Sequence, residues 1–572
     1  MKFPFVGGAY AGRSPNVNAQ TCRNLMVELD PTVPEGRVLV GTPGYAEVST
    51  SAGTQVRHIV NDVLSTTIIY CVIDAELYSY DLTTGTFTAV STVGGNTWSM
   101  FTSGGSVRSA TMGLANGELA IAVADGGSLN VFNTTGANTA TRVQVSLLDQ
   151  SSNTVCFLDG RFIADDTANP GRFIYSDILA PGTWNAFNFA TAEGAPDSLR
   201  AVFSNRRELY LFGERSIEVW YSTGDANNPF ARYQGGFIEM GCAAPYTVCE
   251  IDNGIMWLAT DKKGQIFVAA MGSNYQPIVM SPPGINYRLG ITSKGFGSGV
   301  STSSGVYAFV YRLAGHEIYV LRTLVDNGAT TVTYCYDSTT KEWHEWGSGA
   351  SGPHVALHAS AAEYKNTLYG TYMASGDAKL YRLSPEIYTD NGAAIYRERT
   401  TVGVSDEQDR IKIAHLQIDM EEGVSTQPLM VDTLALAAPA GATTVVATGG
   451  TVLGVGRTLA VTLDDGRIHL ATVTGGSAGT YIFANEPLVG PASIGNVVEG
   501  YPSDRCTIET SKDGGQTWGT ATSLHMGVAT TKARRVLLRK LGMARHWVLR
   551  WKTSAAVKIV IRGVVAKLWG EA

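Results

Sequence analysis

Charge is scarce in this chain: only 16% of its 572 residues are Asp, Glu, Lys or Arg. Long apolar runs are missing too. No stretch of about 18 consecutive apolar residues occurs, so no membrane-spanning helix is expected. The opening Met1-Lys2-Phe3-Pro4-Phe5-Val6-Gly7-Gly8 is too short and broken for a signal peptide, and cytoplasmic folding is expected. The seven cysteines, Cys22, Cys71, Cys156, Cys242, Cys249, Cys335 and Cys506, are odd in number and scattered, without a C-x-x-C pair. That spacing argues against a disulfide framework or a zinc site, and for ordinary buried thiols. A Walker loop and a dinucleotide fingerprint are absent. Helix signals are almost absent as well. What remains is an all-β chain, with 44% hydrophobic residues for a core and 64 glycines for turns.

From about residue 55 to residue 388 one pattern repeats: a short apolar run, a polar turn, another run. The paired runs are 67–73 with 76–80, 117–122 with 128–132, 208–212 with 216–221, 254–259 with 265–270, 306–311 with 317–321, and 367–372 with 379–383. They recur about every 40 to 55 residues, the period of a four-stranded propeller blade. A lone blade leaves both sheet faces unburied, so such units stack around an axis. Tyr80-Asp81-Leu82-Thr83-Thr84-Gly85-Thr86-Phe87 and Tyr334-Cys335-Tyr336-Asp337 followed by a turn and Trp343 are strand–turn–aromatic units, in which the Asp serves turn amides.

The expected architecture is a β-propeller of six or seven blades followed by a β-sandwich that carries a small inserted β module. Residues 1–53 read as an arm or as ring-closing strands, 54–398 as the propeller, 399–428 with 503–572 as the sandwich, and 429–502 as the insert.

Candidate chemistry is thin. Ser511-Lys512-Asp513-Gly514-Gly515-Gln516-Thr517-Trp518 resembles the Asp box S-x-D-x-G-x-T-W. The physics of that box is structural: the Asp513 carboxylate accepts turn amides, Gly515 takes a positive φ, and Trp518 packs beneath. Gly475-Gly476-Ser477-Ala478-Gly479 spells G-x-S-x-G, but the strand-like Thr480-Tyr481-Ile482-Phe483 stands where a nucleophile elbow needs a helix. His354 and His358, with His344 nearby, lack a carboxylate or cysteine to complete a metal set. Asp165-Asp166, Glu421-Glu422 and Asp464-Asp465 sit in turn-like stretches, where solvated carboxylates are the ordinary reading. No catalytic, cofactor-binding or metal-binding residue is assigned, and no cofactor is expected.

Charge distribution says more. Residues 521–572 hold eleven Lys or Arg against one acid, a net +10, so the remainder of a chain of net −7 carries −17. The basic residues are Lys532, Arg534, Arg535, Arg539, Lys540, Arg545, Arg550, Lys552, Lys558, Arg562 and Lys567. In Val548-Leu549-Arg550-Trp551-Lys552 basic and apolar residues alternate, which lines charge along one strand face. Such polarisation fits contact with a polyanion or an acidic neighbour, and the competing reading is a solvated face. No helical or finger motif accompanies it, so sequence-specific DNA reading is not expected.

Several stretches together resemble the packaged-DNA stabilisation proteins, or tail hub (nozzle) proteins, of short-tailed bacteriophages. Cys22-Arg23-Asn24-Leu25-Met26-Val27-Glu28 and then Gly41-Thr42-Pro43-Gly44-Tyr45 resemble the family's opening. Arg172-Phe173-Ile174-Tyr175-Ser176-Asp177, with Ala192-Glu193-Gly194-Ala195-Pro196-Asp197, is similar to its A-E-x-x-P-D blade. Leu211-Phe212-Gly213 and Ser216-Ile217-Glu218-Val219-Trp220-Tyr221-Ser222-Thr223-Gly224 resemble a recurrent F-G, S-x-I-E-aromatic stretch. Ile508-Glu509-Thr510-Ser511-Lys512-Asp513-Gly514, leading into the basic strands, resembles the closing domain. The compact members lack a counterpart of residues 429–502. The resemblance implies a non-enzymatic virion protein, assembled in the host cytoplasm: a hexameric ring beneath the portal and its adaptor. Such a ring retains packaged DNA in the tail channel and contacts the needle, spikes or fibres. The alternative is a glycan-binding or glycan-cleaving propeller, suggested by the Asp box and by aromatics expected at the surface, Trp98, Trp184, Trp343 and Trp346.

Overall fold

The computed structural model describes residues 2–10, 18–33, 35–61, 67–90, 102–115, 117–135, 139–143, 151–195, 197–291, 305–326, 330–364, 368–406, 409–421, 428–528 and 536–568. Two compact units emerge, one of residues 45–347 and 351–385, the other of 1–44, 348–350 and 386–572.

The first unit is a β-propeller of seven sheets. Blade 1 runs Val56–Ile59, Ile68–Ile73, Glu76–Asp81, Thr86–Ala89, and blade 2 runs Arg108–Gly113, Leu119–Ala124, Leu129–Thr135, Thr139–Val143. Blade 3 is Val155–Leu158, Arg161–Asp165, Arg172–Tyr175, Phe189–Thr191, and blade 4 is Leu199–Asn205, Glu208–Gly213, Ile217–Ser222, Phe230–Ile238. Blade 5 is built on Cys249–Ile251, Gly254–Thr260, Ile266–Met271 and Pro277–Val279, and blade 6 on Tyr307–Leu313, His316–Val325, Thr330–Asp337 and Glu342–Glu345. Blade 7 has three strands of its own, His358–Tyr364, Leu368–Ala374 and Lys379–Ser384.

Its fourth strand comes from the other end of the chain. Gly44–Thr50 pairs with Lys379–Ser384, Ser51 N donates to Ala378 O at 2.7 Å, and Lys379 meets Glu47 at 2.5 Å. Closing the ring this way leaves no open edge at the seam. Second strands such as Ile68–Ile73 and Leu119–Ala124 are buried at every position, because each face packs on a neighbouring blade. Shared cores make this explicit: Tyr70 and Val72 pack with Ile121 and Val123, while Ile69 and Cys71 pack with Tyr372 and Leu380. The seven cysteines are all free and buried, and burial lifts the Cys71, Cys156, Cys242 and Cys506 thiols to about 12.

One expectation is overturned here. Trp184, Trp343 and Trp346 are not surface aromatics but core residues, 2–3% exposed. Trp184 joins the core shared by blades 2 and 3, Trp343 that of blades 5 and 6, and Trp346 stacks on His354 at 3.6 Å. Their indoles fill space that flat inter-blade packing would leave empty. Trp98 lies outside the described residues.

The second unit holds a β-sandwich. One sheet combines Leu25–Leu29, Arg37–Gly41, Val560–Leu568, Ile411–Met420 and Val536–Ala544, with Lys2–Phe3 on Val560–Leu568. The other includes Thr21–Arg23, Arg397–Thr400, His546–Thr553, Arg505–Ser511 and Thr522–His525. Leu39, Leu416, Ile418, Trp547, Trp551 and Ile561 lie in the core between them. The N-terminal strands belong to this sandwich because Arg399, fully buried, donates to the carbonyls of Phe5 (2.7 Å), Gly8 (2.8 Å) and Thr21 (3.1 Å). Between the sandwich strands, Met430–Thr433, Val497–Tyr501, Thr458–Thr462 and Ile468–Thr472 form one small sheet, and Thr444–Val446, Thr480–Ile482 and Gly475–Ser477 another. They enclose their own core, which includes Leu434, Val445, Leu459, Val461, Phe483 and Val498.

Candidate polyanion-facing surface

The motifs that suggested catalysis resolve into turns. Asp513 accepts from Ser511 Oγ (2.6 Å), Thr517 N (2.9 Å) and Thr517 Oγ1 (2.5 Å). Those bonds, led by the Ser511 hydroxyl, hold its carboxyl well below the usual range. Gly515 sits at φ 96° and Trp518 lies under the Arg550 guanidinium, 3.8 Å from ring centre to Cζ. Ser477 lies on a hairpin with Thr480–Ile482, and a Cβ at Gly476 (φ 133°) would meet Thr480 O at 2.0 Å. Asp165 serves Thr154 N (2.6 Å) and Asn153 N (3.2 Å), with burial raising its carboxyl to about 6, and Asp166 pairs with Arg172. Asp464 accepts from Ser493 N at 2.7 Å, Asp465 pairs with Arg467 at 2.6 Å, and Glu421 with Lys558 at 2.9 Å. Among the described residues no group of three or more His, Cys, Asp or Glu is placed to hold a metal.

The basic C-terminal residues divide by their surroundings. Arg550 and Lys552 both reach Glu509 on the adjacent strand, at 2.5 and 2.9 Å. Burial works against the Glu509 charge, but hydrogen bonds from Lys552 and Arg550 hold its carboxyl below the usual range. Lys558 is taken by Glu421, and Arg562 lies 4.0 Å from Asp419. Lys532, Arg534 and Arg535 lie outside the described residues.

That leaves Arg539, Lys540, Arg545 and Lys567, which are exposed and make no ion pair among the described residues. Three of them share the outer face of the first sandwich sheet. Along Ile411–Met420, residues Ile411, Ile413, Leu416 and Ile418 point into the core, and Lys412 and His415 point outward. His415 stands opposite Arg539 on one side and Lys567 on the other. Adjacent strands lie about 4.8 Å apart, so the row Arg539–His415–Lys567 spans about 10 Å. A β-bulge adds the next cation. The register slips between Ile413 and His415, Lys540 takes φ 62° and Gly542 φ 86°, and Arg539 and Lys540 are both exposed although consecutive. Lys412, His415, Arg539, Lys540 and Gly542 line a shallow groove of about 400 Å³. Arg539 and Lys567 lie about 10 Å apart across His415, close enough that their like charges repel. This face carries that cost with no carboxylate paired to Arg539, Lys540 or Lys567, which suits it to an external anionic surface.

Of the basic residues singled out by charge, Arg539, Lys540 and Arg545 lie exposed here and Arg550 and Lys552 are neutralised, while His415 and Lys412 are not among them. The missing signal was the bulge: Gly542 three residues after Arg539 inside an otherwise strand-like run marks it.

Residues 1–290 match the family model described as bacteriophage P22 Gp10, beta-propeller, and residues 489–568 match that described as bacteriophage P22 Gp10, beta-sandwich. No curated protein matches. Among solved structures, the WD40 β-propeller domain of Doa1 is similar at 11% identity and TM-score 0.35, over 60% of this chain and 97% of that one. Virginiamycin B lyase from Staphylococcus aureus is similar at 9% identity and TM-score 0.37, over 60% and 99%. PorZ from Porphyromonas gingivalis is similar at 12% identity and TM-score 0.34, over 74% and 57%. At TM-scores this low these likenesses carry no functional weight.

Proposed function

The chain belongs to the bacteriophage P22 Gp10 family of tail hub and DNA-stabilisation proteins, and is a structural protein of a phage tail; from that premise we propose that it is a ring subunit which helps to retain the packaged genome. In this reading the subunit joins further copies, six by the family resemblance, in a ring below the portal and adaptor. The ring extends the DNA channel and anchors a needle, spikes or fibres. The basic outer face of the sandwich is assigned to the DNA backbone, which it contacts without sequence preference.

The observation that carries this reading is that Arg539 and Lys567 flank His415 with Lys540 beside them, and these three cations make no ion pair among the described residues. The same unit pairs other basic residues at Glu509 and Glu421, so this face carries the charge left over for an external partner, with a solvated face as the competing reading. The test is a virion carrying Arg539→Gln, Lys540→Gln and Lys567→Gln. All three side chains are exposed, so folding and tail assembly are expected to proceed. Premature DNA loss, read as nuclease-accessible genome in tailed particles, is the expected result. Full retention in well-assembled particles removes the channel role. Particles that fail to attach tails at all assign the face to an acidic neighbouring subunit instead.

A further inference from the structure

We infer that the axial cavity of the propeller is a binding site for a compact, doubly charged oxyanion of the phosphate type. The first strands of the blades line the axis, and one cavity there measures about 480 Å³. Its walls come from blades 1, 2, 6 and 7 and from the turn holding Tyr246. Three guanidinium groups enter it, from Arg57, Arg108 and Arg322, together with the imidazoles of His58 and His358.

Arg57 is committed to structure. It is 3% exposed, and its donors go to the carbonyls of Asp74, Thr102, Gly104 and Gly105 and to the Thr102 hydroxyl at 2.7–3.0 Å. Asp125 and Asp74 offset its charge, although their own carboxylates are bonded to the amides of Thr102, Gly127, Ser128, Thr54 and Gln55. Arg108 and Arg322 have no such counterpart. Arg108 spends Nη2 on the carbonyls of Tyr246, Ala308 (3.2 Å) and Val248 (3.4 Å) and on Cys249 Sγ (3.8 Å), and its other donors meet no acceptor among the described residues. Arg322 gives Nη1 to the Tyr307 hydroxyl at 3.2 Å, while its Nε is shielded from solvent and has no hydrogen-bond partner. His358 is 4% exposed, and its Nδ1 is likewise buried without a partner. His58 is occupied with Ser109 Oγ at 2.8 Å and packs on His358 at 4.2 Å between ring centres. In the adjoining cavity Glu317 is held by Arg312 at 2.7 Å.

Arg108 and Arg322 are half-buried, so their charges are only partly desolvated, but buried donors such as Arg322 Nε and His358 Nδ1 are normally satisfied. Two uncompensated guanidiniums and an orphaned imidazole nitrogen around one cavity specify what satisfies them. A carboxylate carries one charge and accepts in one plane. A tetrahedral dianion matches both arginines in charge and meets donors that arrive from several blades. Burial first, then His358, Arg108 and Arg57 for His58 and Arg108 for His358, hold both imidazoles on the neutral side.

The test uses the full-length chain and inorganic phosphate, titrated calorimetrically at constant ionic strength in chloride. Saturable one-to-one binding is expected, weakened at least tenfold in Arg322→Gln and unaffected in Lys262→Gln, an exposed side chain already paired with Glu239. Arg108→Gln is the second variant, and its melting curve reports whether it folds. A double-stranded oligonucleotide that competes for the same heat identifies the anion as a nucleic-acid phosphate, and one that does not identifies free phosphate. The inference is overturned if phosphate gives no saturable heat beyond chloride, or if Arg322→Gln binds phosphate as the unaltered chain does.

Discussion

Salt dependence offers the most quantitative test of the cationic sandwich face. Each phosphate neutralised by a protein cation contributes about 0.9 to the slope of log affinity against log salt on duplex DNA. Replacing Arg539, Lys540 and Lys567 with Gln removes three cations that no carboxylate neutralises, so the slope is expected to flatten by about 2.7. Over a fourfold rise in salt that difference amounts to about 40-fold in affinity. The comparison variant is Lys558→Gln with Arg562→Gln. Those side chains face Glu421 and Asp419, so their charge is partly spent within the protein and the slope is expected to move by less than about one. Anisotropy of a labelled duplex with the full-length chain, at several salt concentrations, reads both. Equal slopes for the triple variant and the unaltered chain would refute the assignment. Flattening of the same size in both variants would show that location on the sheet is irrelevant.

Where the inserted module meets the sandwich, His525 Nδ1 contacts Asp504 at 2.7 Å and its Nε2 lies 3.3 Å from Glu486, which also receives Arg505 at 2.5 Å. Burial disfavours the His525 charge, but Asp504 and Glu486 raise it overall, so its contribution is complete below about 6.5 and is lost as pH rises through the raised folded value. Burial likewise opposes the Asp504 and Glu486 charges, yet hydrogen bonds from His525 and others hold both carboxyls low, so theirs is lost only as pH falls through those depressed values. Proteolysis at this junction is therefore expected to be slower near pH 5.5 than near pH 8.5, and equal rates would contradict the coupling. Gly542→Val forces a β-branched residue to φ 86° at the bulge and is expected to cost about 1 kcal/mol or more, read by thermal melting. It should also weaken duplex binding by misdirecting Lys540. Asp513→Ala removes the acceptor that ties Thr517 back, so the Trp518–Arg550 stack is expected to loosen, visible as changed tryptophan fluorescence.

The propeller was legible because its hairpins are local. Six of the seven blades announce themselves as apolar runs joined by short turns, and each corresponds to a hairpin in the structure. The hairpin of blade 3, Val155–Leu158 with Arg161–Asp165, is the least visible of the seven although Asp159-Gly160 is a two-residue turn signal, with φ of 45° and 79°. Its strands are short, which made the alternation too brief to register. Non-local pairings were harder. Nothing in Arg37–Gly41 says that, beyond its hairpin partner Leu25–Leu29, its other sheet neighbour lies more than 500 residues away in Val560–Leu568. Buried Arg399 ties Phe5, Gly8 and Thr21 into the sandwich, but an arginine in a polar-looking stretch is ordinarily read as exposed.

The charge count of the C-terminal segment includes Arg539, Lys540 and Lys567 together with residues whose charge is spent inside the sheet, and the reason lies in how sheets bring charges together. A linear tally adds every Lys and Arg, whereas a surface presents only what its cross-strand neighbours leave over. Arg550 stands opposite Glu509 in register, a partner 41 residues earlier, so the most regular basic strand in the sequence is also the most neutralised. Arg539 stands opposite His415, more than 120 residues away, and no acid intervenes. Alternation therefore detects which face a charge occupies but says nothing about what faces it. The field available to a polyanion comes from the remainder, and here that remainder gathers where a bulge interrupts the alternation.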